Sequence, residues 1–199
     1  MPNDIVNERR LKLMDKVTVW TKQNENVVKE LEKTGRYTAK KEYILKDLDK
    51  HVYLVLEVYD WLVKNTPNTS QKPYDAEYPI WVSLTREATM LPSVGTIILE
   101  LKVDPSLITM VNIDKWGAIL NYSYIPADEQ DAENHRQLLK QYGVSSDTKA
   151  YMSQFYPQIK REIIDSWSRL FDDSIILGNN EKYGNIWEVR KEWVTQIIR

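Results

Sequence analysis

The segment "GNIWEVRKEW", residues 184–193, carries a carboxylate that could take part in catalysis. Glu188 follows Trp187 within a short run of strand-forming residues near the end of the chain. Strict alternation would put Ile186, Glu188 and Arg190 on one face of a strand. Pattern alone therefore predicts an edge strand with a solvated Glu188. A carboxylate among aromatic side chains could instead stabilise a developing positive charge.

A second group of residues that could take part in catalysis lies in "LELK", residues 99–102. Glu100 and Lys102 would share one face of a strand, with Asp75 upstream, and two carboxylates with a lysine can hold Mg²⁺ and orient an attacking water. Alternation already explains the pair, because the intervening aliphatic residues would face a core while Glu100 and Lys102 face water. A Mg²⁺-dependent nuclease using Glu100 and Lys102 stays open as an alternative.

Several other kinds of site are not indicated by the sequence. The chain has no cysteine, which excludes disulfides, thiolate zinc ligands and a cysteine nucleophile. Its two histidines, His51 and His135, are expected to be surface or packing residues. The six glycines are scattered, so no phosphate-binding loop of the Walker or Rossmann type is predicted. No bound metal is expected.

Charge balance and hydropathy narrow the range of partners. The 27 basic and 29 acidic residues give a net charge of −2, which does not indicate nucleic acid or an acidic membrane surface. No run approaches the roughly 18 apolar residues that a membrane-spanning helix needs, and the N-terminus lacks the apolar stretch of a signal peptide. We therefore expect a soluble, cytoplasmic protein without a membrane partner.

The elements that must position these residues alternate between strands and helices. Regular patterning begins after Met14, so residues 1–13 are interpreted as an N-terminal extension and residues 14–199 as a single domain. Pro157 either kinks a long helix or opens a new one. The pattern predicts strands at 16–23, 78–84, 96–103, 108–113, 185–189 and 193–198, helices at 24–35, 47–64, 126–143 and 146–171, and a helix or turn at 115–121.

A series of spaced motifs carries a family resemblance that extends over nearly the whole chain from Met14 onward. In order, the motifs are "VTVWTKQ", "LEKTGRY", "VYDWL", "YPIWVSL", "ILELKVDPSLI", "NIDKWGAILN", "SWSRLFD" and "IWEVRKEWV". The series resembles an uncharacterised bacterial family, domain-of-unknown-function family 3841. This resemblance implies a family without implying an activity.

The organisation of the chain also resembles that of ADP-ribosyltransferase-like proteins. The shared features are a polar-tipped first strand, a helix that ends in a glycine followed by an aromatic-containing stretch, a central strand with a hydroxyl residue, a strand closing on "VDP", and a last strand with a glutamate. This resemblance implies an α+β fold with a split, mainly antiparallel sheet and flanking helices. It also implies cleavage of the nicotinamide-ribose bond of NAD.

Carried over to this sequence, the resemblance makes Glu188 the catalytic glutamate that stabilises the ribosyl cation. It implies that Ser83 is the central-strand hydroxyl and that Trp20 or Trp81 packs on nicotinamide. The first-strand residues that meet nicotinamide ribose or phosphate would be Thr21, Lys22 and Gln23. NAD is thus the expected substrate, and an unknown macromolecule is the expected acceptor of ADP-ribose.

Two departures from that resemblance keep a different class of function open. The first strand has Lys22 where transferases carry an arginine or histidine, and a lysine lacks the planar fork of arginine. Ile186 stands two residues before Glu188, where enzymes that modify arginine carry an acidic or amide residue. The alternative is a non-catalytic interaction protein with a protein partner, such as a component of a phage-defence or toxin system.

Overall fold

The computed structural model describes residues 15–41 and 52–199. The predicted extension, residues 1–13, and His51 lie outside the described residues, and the prediction of a single domain from residue 14 onward stays a prediction. The chain forms two compact units. Of the described residues, the first unit contains 15–41, Asn68–Thr109 and Tyr183–Arg199. The second unit contains 52–67 and Met110–Lys182.

Strands and helices both contribute to the fold. The strands are β1 (Val17–Asn24), β2 (Arg36–Tyr37), β3 (Ile80–Val82), β4 (Thr96–Val103), β5 (Thr109–Asn112), β6 (Lys182–Ile186), β7 (Val189–Arg190) and β8 (Val194–Ile198). The helices are α1 (Asn26–Thr34), α2 (Val52–Asn65), α3 (Ile113–Leu120), α4 (Glu129–Gln141), α5 (Asp147–Met152) and α6 (Pro157–Ser166). The chain passes from the first unit to the second within β5.

The strands of the first unit form antiparallel groups. β4 lies between β1 and β8, β3 pairs with β6, and β2 pairs with β7, each pairing being antiparallel. An isolated bridge between Trp20 and Ser83 links β1 to β3 through two backbone hydrogen bonds of 3.0 and 2.8 Å. The prediction of an α+β fold with mainly antiparallel strands is confirmed.

β4 occupies the residues that alternation predicts for it, 96–103. Leu99, Leu101 and Val103 are fully buried in the core of the first unit, while Glu100 and Lys102 lie on the opposite face. Burying aliphatic side chains of this size stabilises the fold by about 1.5–3 kcal/mol each. β4 is therefore the central support of the sheet that carries the first strand.

α1 ends where the sequence indicates and delivers the chain to β2. Gly35 adopts a left-handed conformation (φ 79°), and its N–H donates to Leu31 O at 3.0 Å. Glu25 occupies the N-terminal cap position without a side-chain hydrogen bond, and Asn24 Oδ1 accepts from Asn26 N just outside the helix.

The predicted strand at 185–189 is wrong in its extent. β6 ends at Ile186, and Trp187 and Glu188 lie outside the strands before β7 begins. Trp187 is buried, and its Nε1 donates to Asn68 O at 3.2 Å. Glu188 is buried as well, and burial continues without alternation from Gly184 to Val189.

Gly184 in β6 leaves no room for a side chain. A Cβ at this position would lie 2.6 Å from Ile108 Cγ2 and 2.7 Å from Val82 Cγ2. We expect Gly184→Ala to lower the free energy of unfolding by about 1–3 kcal/mol, because a closely packed core must shift to accept a methyl group. Urea unfolding of the wild type and the variant measures this difference in the free energy of unfolding. Gly117→Ala in α3 is the control, since nothing lies within 4 Å of a Cβ there, and an equal loss in both variants would contradict the explanation.

The second unit is built of helices around aromatic side chains. Trp167 is buried between the rings of Trp61 and Tyr151, at centroid distances of 5.5 and 5.6 Å. Pro157 opens α6 at its first position, so the predicted helix over 146–171 is divided into α5, α6 and a short 3₁₀ helix. Among the described residues, no helix has both the length and the apolar character needed to cross a membrane.

His135 of α4 is a buried packing residue. Its Nδ1 lies 2.9 Å from Glu162 Oε1, its Nε2 lies 2.9 Å from Asp147 Oδ1, and its ring stacks on Tyr124 at 4.0 Å. Burial by itself lowers the pKa of His135, but the hydrogen bonds to Asp147 and Glu162 outweigh it and raise the pKa above the ordinary 6.5. The carboxylates therefore favour the protonated imidazole.

This cluster predicts a pH dependence of stability. Because the pKa of His135 is raised in the folded state, its contribution is complete below about pH 6.5, the unfolded value, and is lost as pH rises through the folded value. We expect the free energy of unfolding, measured in urea between pH 6 and 9, to fall with pH in the wild type. His135→Gln should remove the contribution of His135 to this decrease of the free energy of unfolding with pH. A slope that the substitution leaves unchanged would contradict this assignment.

Candidate functional site

Glu188 lines an open cleft on the first unit. The cleft has a volume of about 550 Å³ and largely polar walls. Its position means that Glu188 is neither a freely solvated strand residue nor a core residue sealed from ligands. The residues lining the cleft are Thr34, Gly35, Arg36, Gln71, Pro73, Glu188, Arg190 and Glu192.

Both oxygens of Glu188 are held by guanidinium groups. Arg36 Nη2 lies 2.8 Å from Oε2, and Arg190 Nε donates to Oε1 at 2.7 Å. Glu188 is only 9 % exposed, whereas the side chains of Arg36 and Arg190 are 36 % and 51 % exposed. Charge-assisted hydrogen bonds of this length fix the orientation of a carboxylate. The cleft therefore contains an oriented carboxylate between two cations that solvent can reach.

The backbone explains how the two arginines come together. β2 and β7 pair so that Arg36 is directly opposite Arg190, and Lys191 N–H donates to Gly35 O at 2.9 Å. Two like charges at opposed strand positions repel each other. Glu188 lies between them and offsets that repulsion, so the carboxylate is part of what holds this end of the unit together.

Two further lining residues of the cleft, Gln71 and Pro73, belong to the segment 68–76, which contains a short 3₁₀ helix at Thr69–Gln71. Asn68 O accepts from the Trp187 indole, and Lys72 Nζ lies 5.9 Å from the Trp187 ring centroid. Ala76 N–H donates to Pro73 O at 3.1 Å, which closes a turn. Asp75 Oδ1 then accepts from Arg36 Nη2 at 3.2 Å. Contacts from Trp187 and from Arg36 therefore hold this segment beside Glu188.

Charged groups of both signs surround the cleft. The guanidinium groups of Arg36 and Arg190 contact the carboxylates of Asp75, Glu188 and Glu192, and Lys40 and Lys72 lie nearby. A carboxylate lowers the energy of a cation that forms beside it. The exposed guanidinium faces can at the same time meet an anionic part of a ligand.

The first-strand residues make other contacts. Trp20 Nε1 donates to Glu100 Oε2 at 3.2 Å on the outer face of the sheet. Thr21 is buried, and its hydroxyl donates to Trp81 O at 2.8 Å. Gln23 Nε2 donates to Thr21 Oγ1 at 2.7 Å. The structure thus brings Thr21, Gln23 and Trp81 together and pairs Trp20 with Glu100.

The remaining predicted residues lie along the same strands. Ser83 is buried, accepts a backbone bond from Trp20 and shares a hydrogen bond with the Thr89 hydroxyl. Lys22 and Trp81 are half-buried. Neither these residues nor Trp20 belongs to the lining of the Glu188 cleft.

The strand register nevertheless brings the tip of β1 and Glu188 to the same end of the first unit. β1 is bridged to β3 at Trp20 and Ser83, and β3 is paired with β6 at Ile80 and Ile186. Continuing along β1 beyond Trp20 and along β6 beyond Ile186 therefore leads toward the same end of β3. Ser83 lies at the other end of that strand.

Glu100 and Lys102 of the nuclease alternative share one face of β4, while Asp75 makes its contact elsewhere. Glu100 accepts from Trp20 and, at 2.7 Å, from the Thr195 hydroxyl, while Asp75 pairs with Arg36. Lys102 is exposed. Within the described ranges, no group of three or more His, Cys, Asp or Glu residues is arranged to hold a metal ion.

Sequence reasoning missed Arg36 and the wall that faces it. Arg36 follows a helix-ending glycine, a position where any exposed residue is compatible with the local pattern. Its partners are distant in sequence and become neighbours only through the β2 and β7 pairing. No local signal distinguishes this arginine from the others in the chain.

Fold and site together define an α+β protein of mainly antiparallel strands with an arginine-bracketed glutamate in an open cleft. Residues 18–195 match the family described as Domain of unknown function (DUF3841), and the chain belongs to that family. The predicted family is therefore confirmed. Neither a curated protein nor a solved structure matches the chain.

Proposed function

We propose that this protein is an ADP-ribosyltransferase-like enzyme that binds NAD in the Glu188 cleft, cleaves the nicotinamide-ribose bond and transfers ADP-ribose to a macromolecular acceptor in the cytoplasm. One observation carries the proposal. A nearly buried carboxylate is held in a fixed orientation by two guanidinium groups on the wall of an open cleft.

The chemistry requires stabilisation of positive charge on the ribose. The C1′–N bond to nicotinamide breaks, nicotinamide leaves with the bonding electrons, and an oxocarbenium-like centre develops at C1′. A nucleophile of the acceptor then attacks C1′ and loses its proton. In this proposal Glu188 accepts a hydrogen bond from a ribose hydroxyl and faces the developing charge.

The arginines of the cleft would bind the negatively charged pyrophosphate of NAD. Arg190 is half-exposed, and its planar fork suits a pyrophosphate oxygen better than Lys22 does. Lys22 and Gln23 remain the first-strand residues proposed to meet the nicotinamide ribose or a phosphate. The tip of β1 extends toward the end of the first unit where Glu188 lies. Thr21 and Ser83 serve as supports, since their hydroxyl groups are engaged within the strands.

Transfer of labelled ADP-ribose tests the proposal. The full chain is incubated with NAD labelled in the adenylate moiety and with a bacterial cell lysate as the source of acceptor. We expect one or more macromolecules to become labelled and free nicotinamide to accumulate in parallel. Neither label transfer nor nicotinamide release above a protein-free control would contradict the proposed activity.

A second candidate, a non-catalytic interaction protein, is favoured by an exposed apolar loop. Met90 and Leu91 are 75 % and 76 % exposed and Val94 is fully exposed, on a loop that is held by hydrogen bonds from Ser83 and Tyr183. Exposed apolar side chains on an ordered loop suit a protein partner. Co-purification of a partner with the tagged chain that is lost in Met90→Ser/Leu91→Ser and kept in Glu188→Gln would support this candidate.

A further inference from the structure

The segment 69–75, "TSQKPYD", borders the Glu188 cleft and is anchored more weakly than the rest of the lining. Gln71 and Pro73 of this segment line the cleft, and none of the residues 69–75 is buried. The remaining lining residues belong to the end of α1, to β2 and to the stretch around β7. β2 and β7 also contribute Tyr37 and Val189 to the core of the first unit, an anchor that the segment 69–75 lacks.

Polar contacts between partly exposed groups hold the segment against its neighbours. Asp75 Oδ1 accepts from Arg36 Nη2 at 3.2 Å, and the two side chains are 31 % and 36 % exposed. Asp75 O accepts from Lys40 Nζ, and Lys72 Nζ lies 5.9 Å from the Trp187 ring centroid. Solvent competes for such contacts, and segments held by them unfold locally at a lower free energy than a packed core does.

Both ends of the segment are fixed. Before it, Asn68 O accepts from the indole of the buried Trp187 at 3.2 Å. After it, Ala76 and Tyr78 are 1 % and 3 % exposed, and Tyr78 forms a β-bridge with Ala39. The residues between these anchors can therefore unfold and refold while the chain on both sides stays in place.

The burial of Glu188 gives such a movement a role. Glu188 is only 9 % exposed, and both of its oxygens are engaged by Arg36 and Arg190. A ligand that is to meet this carboxylate needs more room, so one wall of the cleft must yield. Displacing β2 or β7 would disrupt the core, whereas displacing residues 69–75 breaks partly exposed polar contacts.

We infer that residues 69–75 form a lid that opens the Glu188 cleft by local unfolding between its two anchored ends. The ion pair between Arg36 and Asp75 is the latch of this lid. When the latch breaks, Arg36 keeps its bond to Glu188, so the carboxylate stays oriented while the cleft widens. The lid does not depend on which ligand the cleft binds.

Hydrogen–deuterium exchange of the full chain without ligand tests the lid. Gln71, Lys72 and Ala76 donate their N–H groups to carbonyls three residues earlier, at 2.9–3.1 Å, so their exchange reports local unfolding. These amides should exchange far faster than those of β4 and more slowly than those of an unfolded peptide. Asp75→Asn should accelerate them about two- to five-fold, the range expected for a partly exposed ion pair, and should leave β4 unchanged.

Salt and a control variant distinguish the latch from a general loss of charge. About 0.5 M NaCl should accelerate these amides in the wild type and change Asp75→Asn little, because salt screens the latch. Asp173→Asn removes an ion pair with Lys182 of 2.6 Å in the second unit and should exchange as the wild type does.

Three results would overturn the lid. The first is exchange of residues 69–76 as slow as that of β4, which means that the segment opens only with the whole unit. The second is exchange at the rate of an unfolded peptide, which means that the segment has no closed state. The third is an equal effect of Asp75→Asn and Asp173→Asn. Because no ligand is added, a failure of NAD to bind would leave each of these results unchanged.

Discussion

Replacing Glu188 with glutamine is expected to slow nicotinamide release from NAD by about 100-fold or more, the usual effect of removing one group that stabilises transition-state charge. Glutamine has nearly the same shape but carries no charge to face the ribosyl cation. The proposed contact of NAD with Arg190 is kept in this variant, so the dissociation constant of NAD should change far less than the rate. Initial rates of nicotinamide formation, followed by chromatography, measure the effect.

Glu192→Gln is the matched control for this substitution. Glu192 lines the same cleft, but its side chain is 69 % exposed and reaches Arg190 only at 4.0 Å. It should keep a rate within a few-fold of the wild type. Equal losses in Glu188→Gln and Glu192→Gln would show that the overall charge of the cleft, and not the oriented carboxylate, matters.

Stability must be compared before the rates are interpreted. Glu188→Gln leaves Arg36 and Arg190 facing each other across β2 and β7. The cost is only about 1–2 kcal/mol, because both guanidinium groups are more than a third exposed and solvent screens their repulsion. A loss of that size is small beside the roughly 5–15 kcal/mol by which native proteins are usually stable. Urea unfolding of the variant checks that the rate is measured on native protein.

The largest effect on stability is expected at Trp167 in the second unit. Trp167→Ala removes a buried ring that contacts Trp61 and Tyr151 and an indole N–H that donates to Ser123 O at 3.0 Å. The free energy of unfolding should fall by about 3–5 kcal/mol, as for other buried aromatic residues replaced by alanine. Denaturant unfolding followed by circular dichroism measures the loss.

Two further variants give this prediction its controls. Trp167→Phe keeps an aromatic ring and loses the hydrogen bond, so it should cost less than Trp167→Ala. Phe155→Ala removes an exposed ring and should stay within about 0.5 kcal/mol of the wild type. A loss below about 1 kcal/mol in Trp167→Ala would contradict the assignment of this residue to the core of the second unit.

The elements that the sequence predicts well are those defined by local chemistry. Alternation within "TIILELKV" is sufficient to predict β4. Ile97, Leu99, Leu101 and Val103 face the core, and the residues between them lie on the other face of the strand. Gly35 ends α1 because a left-handed backbone is needed there. Pro157 divides the helical segment because it cannot donate an interior hydrogen bond.

The surroundings of Glu188 depend on contacts that local patterns do not encode. The Trp187 indole donates to Asn68 O, 119 residues earlier in the chain. The β2 and β7 pairing brings both arginines to Glu188. The sequence indicates Glu188 only through the resemblance, whereas its partners and the lining of its cleft depend on the fold.

The most direct measurement of the proposed function is a proton NMR time course of NAD incubated with the full chain and cell lysate, with Glu188→Gln in parallel. We expect the resonances of free nicotinamide to grow with wild-type chain and to stay near the protein-free level with Glu188→Gln. Unchanged NAD in the presence of wild-type chain, or equal rates for the two proteins, would contradict catalysis by Glu188 in this cleft.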